Sequence, residues 1–103
     1  MLSRTNFQPI LDSLFNHASV HAAVIANEEG FPLAYRARDK SFDGEDAEKA
    51  AALISSLIGR TKMAVQRMDR GDVNFFTIDV TSGEILVALE KDYVVIAIRQ
   101  REK

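Results

Sequence analysis

The sequence predicts an α+β fold: a five-stranded antiparallel sheet, one long helix across one face, and a short helix at the N-terminus. Two observations lead to this prediction. Residues 44–68 have the apolar periodicity of a single long helix. Five short segments rich in β-branched and aromatic residues flank that helix, separated by turn signals at hairpin spacing.

Composition limits the possible classes of protein. The chain has 103 residues, which suits one domain spanning 1–103, and 47% of them are apolar, which excludes a disordered chain. The sequence contains no cysteine, so disulfides and thiolate metal sites are excluded. The net charge of −2 argues against nucleic-acid binding. No apolar run reaches the length of a membrane span and no signal peptide is evident, so we expect a cytoplasmic protein.

Residues 5–17 are predicted to form the first helix. Its apolar side chains fall at i, i+3, i+4 and i+7: Phe7, Ile10, Leu11 and Leu14. Thr5 is a candidate N-cap. Pro9 fits only within a first helical turn, which would move the start of the helix to about Gln8.

A hairpin is predicted to follow. Val20–Ala26 is almost continuously apolar, as expected of a central strand, and residues 27–30 supply a turn in which Gly30 can adopt positive φ. Residues 31–38 alternate, with Leu33, Tyr35 and Ala37 on one side and Arg36 and Arg38 on the other. Pro32 and the arginines suit an edge strand.

The long helix has clear end signals. Asp43 is a natural N-cap, acidic residues follow it, and basic residues precede the stop signal Gly71. At about 100° per residue, an apolar stripe covers an arc of about 160°, wider than packing against one surface requires. The stripe comprises Ala47, Ala50, Ala51, Leu53, Ile54, Leu57, Ile58, Thr61, Ala64, Val65 and Met68.

Three strands are predicted after the long helix, at 73–80, 84–89 and 93–98, with turns at 81–83 and 90–92. The last two are nearly continuous apolar runs and should be central, whereas 73–80 alternates like an edge. The hairpin can join this meander only if strand 1 pairs with strand 5. The predicted order is therefore 2-1-5-4-3.

This arrangement resembles the roadblock/dynein-light-chain family, which includes the MglB-type regulators of Ras-like GTPases. The resemblance covers residues 7–98 and is carried by three features: the segment 22–34, the helix 47–68 with its 50–53 core, and the strands 85–89 and 94–98. It implies a dimer that binds other proteins. Many members have a further helix after strand 5, but this sequence stops five residues after Ile98, so no C-terminal helix is predicted.

No catalytic constellation is evident. The histidines, His17 and His21, have no metal-ligand spacing and no cysteine partner, so we predict no enzyme activity, metal or cofactor. Structural roles explain the acidic residues. Those at 28–29 solvate a turn, and those at 43–46 cap the long helix. Strands 2 and 5 run the same way, which brings six cations to one end of the sheet, where they either bind an anion or guard the edges. These cations are Arg36, Arg38, Lys40, Arg99, Arg101 and Lys103.

Strand 3 is a poorly defended edge, because Val73–Val80 contains no lysine, arginine or proline. Together with the wide helical stripe, this predicts a homodimer. The expected interface residues are Leu53, Leu57, Asn74, Phe75, Phe76, Thr77 and Ile78.

The outer arc of the long helix is a candidate partner-binding surface. It combines small residues, including Ser55 and Gly59, with one apolar and several basic side chains; the predicted contacts are Lys49, Ala52, Ser56, Arg60, Met63 and Arg67. A plain solvated helix face is the alternative. By resemblance the partner is a Ras-like small GTPase. Alternative functions are a structural subunit of a larger transport or motor-like assembly without GTPase contact, and a ligand-sensing domain.

Overall fold

A computed structural model describes residues 6–101. Its helices and strands are α1 (Gln8–Phe15), β1 (Val20–Ala26), β2 (Pro32–Ala37), α2 (Gly44–Arg67), β3 (Phe75–Val80), β4 (Gly83–Leu89) and β5 (Val94–Gln100). The sheet order is β2-β1-β5-β4-β3 and every neighbouring pair is antiparallel, which confirms the predicted α+β topology. Over residues 6–101, no helix follows β5 and no helix is long and apolar enough to cross a membrane.

The sheet has a core on each face. On one face, here the α2 face, alternate residues of the central strands pack under the long helix: Val24, Ala26, Val87, Val94 and Ile96 against Ala47, Ala51, Ile54 and Ile58. On the other, the α1 face, Leu11 packs on Ala23 and Ile25. Because β1 is covered on both sides, nearly all of its residues are buried, as its continuous apolar sequence predicts.

The first helix is shorter than the predicted 5–17. It begins at Gln8, where Pro9 falls within the first turn and the Gln8 N–H donates to Asn6 Oδ1 at 3.1 Å. The predicted N-cap Thr5 lies outside the described residues. At the start of the helix, the Phe7 ring meets Tyr93 edge-on at 5.3 Å between centroids, which fixes α1 over the sheet.

The long helix begins as predicted. Asp43 Oδ1 accepts the Asp46 N–H at 3.1 Å, and Asp46 Oδ2 accepts the Asp43 N–H at 2.9 Å, so the two residues form a reciprocal capping box. The Asp46 N–H lowers the pKa of the Asp43 carboxyl below its ordinary value of 3.8. The C-cap of the helix is Met68, and the chain turns away through Asp69 and Gly71, both at positive φ.

The boundaries of four strands differ from prediction, and β2 spans Pro32–Ala37 instead of 31–38. β3 begins at Phe75 instead of Val73, whereas β5 runs from Val94 to Gln100 because its last residues pair with the start of β4. Gly83, predicted in the turn, is the first residue of β4. A Cβ there would lie 1.8 Å from the Arg99 carbonyl oxygen, so only glycine allows this close approach.

Candidate interaction surfaces

The apolar stripe of α2 divides into two parts. Ala47, Ala51, Ile54 and Ile58 are buried against the sheet. Leu53, Leu57, Ala64 and Met68 occupy one flank of the stripe and remain exposed, with Leu53 exposed to 64% and Leu57 to 36%. A single copy of the chain therefore does not bury the whole stripe.

The exposed flank is accompanied by incompletely covered sheet residues. Phe76 and Ile78 of β3 and Ile85 of β4 face the same side of the sheet as α2 and are only half-buried at the edge of its core. The exposed leucine side chains and the half-buried sheet residues thus leave apolar surface uncovered on the same face of the sheet. We call Leu53, Leu57, Phe76 and Ile78 the flank surface.

The β3 edge has unpaired backbone groups. The Leu89 N–H donates to the Asn74 carbonyl at 3.0 Å, so in the alternating antiparallel ladder Phe76 and Ile78 bond to β4. The N–H and C=O groups of Phe75, Thr77 and Asp79 consequently point away from β4. Among the predicted interface residues, Asn74 precedes the strand, whereas the side chain of Phe75 lies on the α1 face and is 55% exposed.

The predicted partner-binding residues share one exposed surface of α2. All six are exposed: Lys49, Ala52, Ser56, Arg60, Met63 and Arg67. Met63 has 54% of its surface accessible. We call this set the outer face of α2. These six residues include three cations, and the exposed Glu45 lies on the same side of the first turn of the helix.

Ser55, expected on the same arc, has a role within the chain. Its Oγ donates to the Glu28 carbonyl at 3.1 Å, in the turn between β1 and β2. Gly30 in that turn has φ +92°, and a Cβ on it would lie 3.1 Å from Ser55 Cβ and 3.4 Å from Ala52 Cα. Small residues on this side of α2 therefore let the turn approach the helix.

Three of the six cations predicted at the basic end of the sheet form ion pairs. As predicted, β2 and β5 run in the same direction, but Arg99 pairs with Glu84 at 3.0 Å and Arg101 with Asp79 at 2.7 Å. Arg36 pairs with Asp12 of α1 at 2.7 Å. Lys103 lies outside the described residues. This end of the sheet therefore does not present six free cations to an anion.

Arg38 holds the end of α1. Its guanidinium donates to the carbonyls of Phe15 at 2.8 Å, His17 at 3.0 Å and Val20 at 2.9 Å. The same guanidinium lies 4.8 Å from the Phe15 ring centroid, a cation–π distance. The arginine side of β2 thus clamps α1 to the sheet. The linear sequence carries no local signal for it, since these partners lie about 20 residues apart.

Within residues 6–101, no cluster of three or more His, Asp or Glu residues could hold a metal ion. His21 Nε2 lies 3.2 Å from Ser41 Oγ. The Ser41 hydroxyl donates to Asp39, and the hydrogen bonds from Ser41 lower the pKa of the Asp39 carboxyl. Since the hydroxyl proton bonds to the carboxylate, His21 is the donor to Ser41 and is not placed to accept that proton.

Comparison with known proteins identifies the family. The Roadblock/LC7 domain from Streptomyces avermitilis aligns with a TM-score of 0.77 at 22% identity, covering 88% of this chain and 75% of that one. Gliding protein MglB from Thermus thermophilus aligns with a TM-score of 0.80 at 10% identity, covering 97% of this chain and 77% of that one. MglB with a tetrameric arrangement aligns with a TM-score of 0.80 at 12% identity, covering 97% of this chain and 76% of that one. These structures share the fold. The model of the Roadblock/LC7 domain family matches residues 7–100, and the chain belongs to that family.

Proposed function

We propose that this protein is a non-enzymatic homodimeric scaffold that binds and regulates a Ras-like small GTPase. The observation that carries the dimer is the flank surface. Leu53 and Leu57 are exposed on α2, and Phe76 and Ile78 on the same face of the sheet are only half-buried, so a single chain leaves these apolar side chains partly in water.

The β3 edge supports the same dimer. Its outward backbone groups belong to Phe75, Thr77 and Asp79, and Asp79 is already neutralised by Arg101 at 2.7 Å. In our proposal, two β3 strands pair about a two-fold axis, joining the two sheets into one. The second copy of α2 then covers the flank surface of the first, because both helices lie on the same face of the joined sheet.

The GTPase partner comes from family membership. The sequence resembles the MglB-type regulators of Ras-like GTPases, and this chain shares the MglB fold and belongs to the Roadblock/LC7 family. In the proposed dimer, the outer faces of two α2 helices form one broad surface. Their exposed cations Lys49, Arg60 and Arg67 favour an acidic partner surface, and Met63 offers an adaptable apolar contact.

Co-purification in defined nucleotide states tests this function. The tagged protein is incubated with native lysate containing either GDP or a non-hydrolysable GTP analogue, and the captured proteins are identified. We expect a small GTPase to be enriched in one nucleotide state, and we expect the purified protein alone to turn over no GTP. Capture of a large assembly without a GTPase, in both nucleotide states, would instead support the structural-subunit function.

A further inference from the structure

The opposite edge of the sheet, β2, carries a row of exposed apolar side chains. Phe31 is 65% exposed, Leu33 47% and Tyr35 43%, at alternate positions along the chain. The intervening residues, Pro32 and Ala34, are half-buried. Large apolar side chains lined up along an edge strand are a feature that most soluble proteins avoid or cover.

The backbone of this edge is also available. The Arg38 N–H donates to the His21 carbonyl at 2.9 Å, and in the regular register that follows, Arg36 and Ala34 bond to β1. The N–H and C=O groups of Tyr35 and Ala37 therefore point away from β1. No described strand pairs with this side of β2. Pro32 does not block it, since it lies at the start of the strand.

The first half of α2 runs beside this edge. A Cβ on Gly44 would lie 3.8 Å from Tyr35 Oη, whereas Gly30 lies against Ala52 and Ser55. The helix thus forms one wall along the exposed row. Because α2 runs antiparallel to β2, Glu48 lies between the contact at Gly44 and the contact at Ala52.

Exposed acids occur in each segment that borders the edge. They outnumber the exposed lysines of the same segments, Lys40 and Lys49. Of the two arginines in and just after β2, Arg36 is neutralised by Asp12, whereas Arg38 keeps its charge and directs it at the carbonyls around the end of α1. The edge is therefore apolar along its length and acidic around it. The acids are Glu28 and Glu29 in the turn, Asp39 and Asp43 in the following loop, and Glu45 and Glu48 on α2.

We propose that the β2 edge binds an extended segment of another protein as an additional strand, and that this segment has an apolar centre with basic residues at both ends. Its backbone bonds to Tyr35 and Ala37, and its apolar side chains pack on Leu33 and Tyr35. The basic residues at its two ends are attracted by the acids of the turn before β2 and of the loop after it. The β2 edge stays free in the proposed dimer, in which only the β3 edges pair. Binding at this edge requires no GTPase.

The probe is a short synthetic peptide of alternating valine and threonine with two lysines at each end, titrated into the isotope-labelled full-length protein and followed by NMR. We expect hydrogen exchange at the Tyr35 and Ala37 amides to slow, while Ala34 and Arg36, which bond to β1, are protected with or without peptide. Leu33→Lys should weaken binding by roughly tenfold or more, as for loss of a central contact. Thr81→Lys adds the same charge in the exposed turn between β3 and β4 and should bind like wild type.

Several results would overturn the proposal. One is the absence of any change at Tyr35 and Ala37 at millimolar peptide. Equal binding of a matched peptide with glutamates in place of the terminal lysines would refute the basic ends of the segment. Protection of Tyr35 that rises with protein concentration, without peptide, would make a second copy of the chain the occupant. Unchanged binding by both Leu33→Lys and Phe31→Lys, each with a well-dispersed spectrum, would place the peptide elsewhere.

Discussion

Ser55 Oγ donates a hydrogen bond to the carbonyl of Glu28 at 3.1 Å, which joins the middle of α2 to the turn between β1 and β2. The contact depends on Gly30, which is buried two residues after Glu28 and lies against the Ser55 side chain. Ser55, on the outer arc of the helix, therefore contributes to the fold, whereas the residues of the outer face of α2 are exposed.

Gly30 and Gly59 form a matched pair for testing this packing. Alanine at Gly30 needs positive φ and places its Cβ 3.1 Å from Ser55, so Gly30→Ala should lower the free energy of unfolding by about 1–3 kcal/mol. A Cβ at Gly59 meets nothing within 4 Å. Gly59→Ala should therefore raise the free energy of unfolding by up to about 1 kcal/mol, because alanine favours the helix. Denaturant unfolding measures both. Equal effects of the two substitutions would contradict the tight contact at Gly30.

Patterns within single elements predicted most of the fold. The continuous apolar run of β1 indicates burial on both faces, and the Asp43 cap marks the first turn of α2; both are confirmed. The strand order followed from the number of edge strands and central strands, because only two of the five strands alternate apolar with polar residues. The sequence did not predict contacts between distant segments, such as Arg38 with the end of α1 or Ser55 with Glu28. Those contacts depend on register and on crossing geometry, for which the local sequence carries no signal.

The clamp on α1 gives a prediction about Arg38. Arg38→Ala removes the donor to the carbonyls of Phe15, His17 and Val20 and should cost about 1 kcal/mol of unfolding free energy, since the group is partly solvated. Hydrogen exchange should accelerate first in α1. Arg38→Lys should restore little of this unfolding free energy, because an ammonium lacks the planar guanidinium geometry that reaches several carbonyls. Arg70→Ala, an exposed control after α2, should leave both measurements unchanged.

The cap of α2 gives a prediction about pH. The Asp46 N–H stabilises ionised Asp43 and lowers its pKa below 3.8, so the contribution of the cap to stability is present above that pH and lost as the pH falls through the folded-state pKa. Asp43→Ala should therefore be less stable than wild type near neutral pH. The difference should narrow below about pH 3.8. Unfolding free energies measured across this range test it; a difference independent of pH would show that the charge of Asp43 does not stabilise the cap.

The dimer gives a prediction about Leu53. Wild-type protein should scatter light with about twice the 11.5 kDa mass of the chain. Leu53→Lys should give the monomer mass, since an unpaired charge would be buried between two helices, but the single-chain fold should persist because Leu53 is 64% exposed there. Ile78→Arg should dissociate or unfold the protein, because Ile78 also packs at the edge of the core.

An exposed position on α1 supplies the charge-matched control. Ser13→Lys should keep the dimer mass, because this residue is remote from the flank surface. A monomer for wild type at micromolar concentration would refute the homodimer. An unchanged dimer mass in Leu53→Lys would refute the interface.

The outer face of α2 gives the last prediction. Ser56→Glu and Met63→Glu each put a negative charge where both side chains are exposed, so neither should change the dimer mass or the Tm. Capture of the GTPase should fall by roughly tenfold or more in each, about the 1.4 kcal/mol expected for losing a central contact and for repelling an acidic partner. Thr81→Glu adds the same charge in the exposed turn between β3 and β4 and should capture the GTPase like wild type. If both helix variants captured it normally, the binding surface would lie elsewhere, and the exposed Phe75 on the α1 face would be the next position to substitute, because α2 does not cover that face.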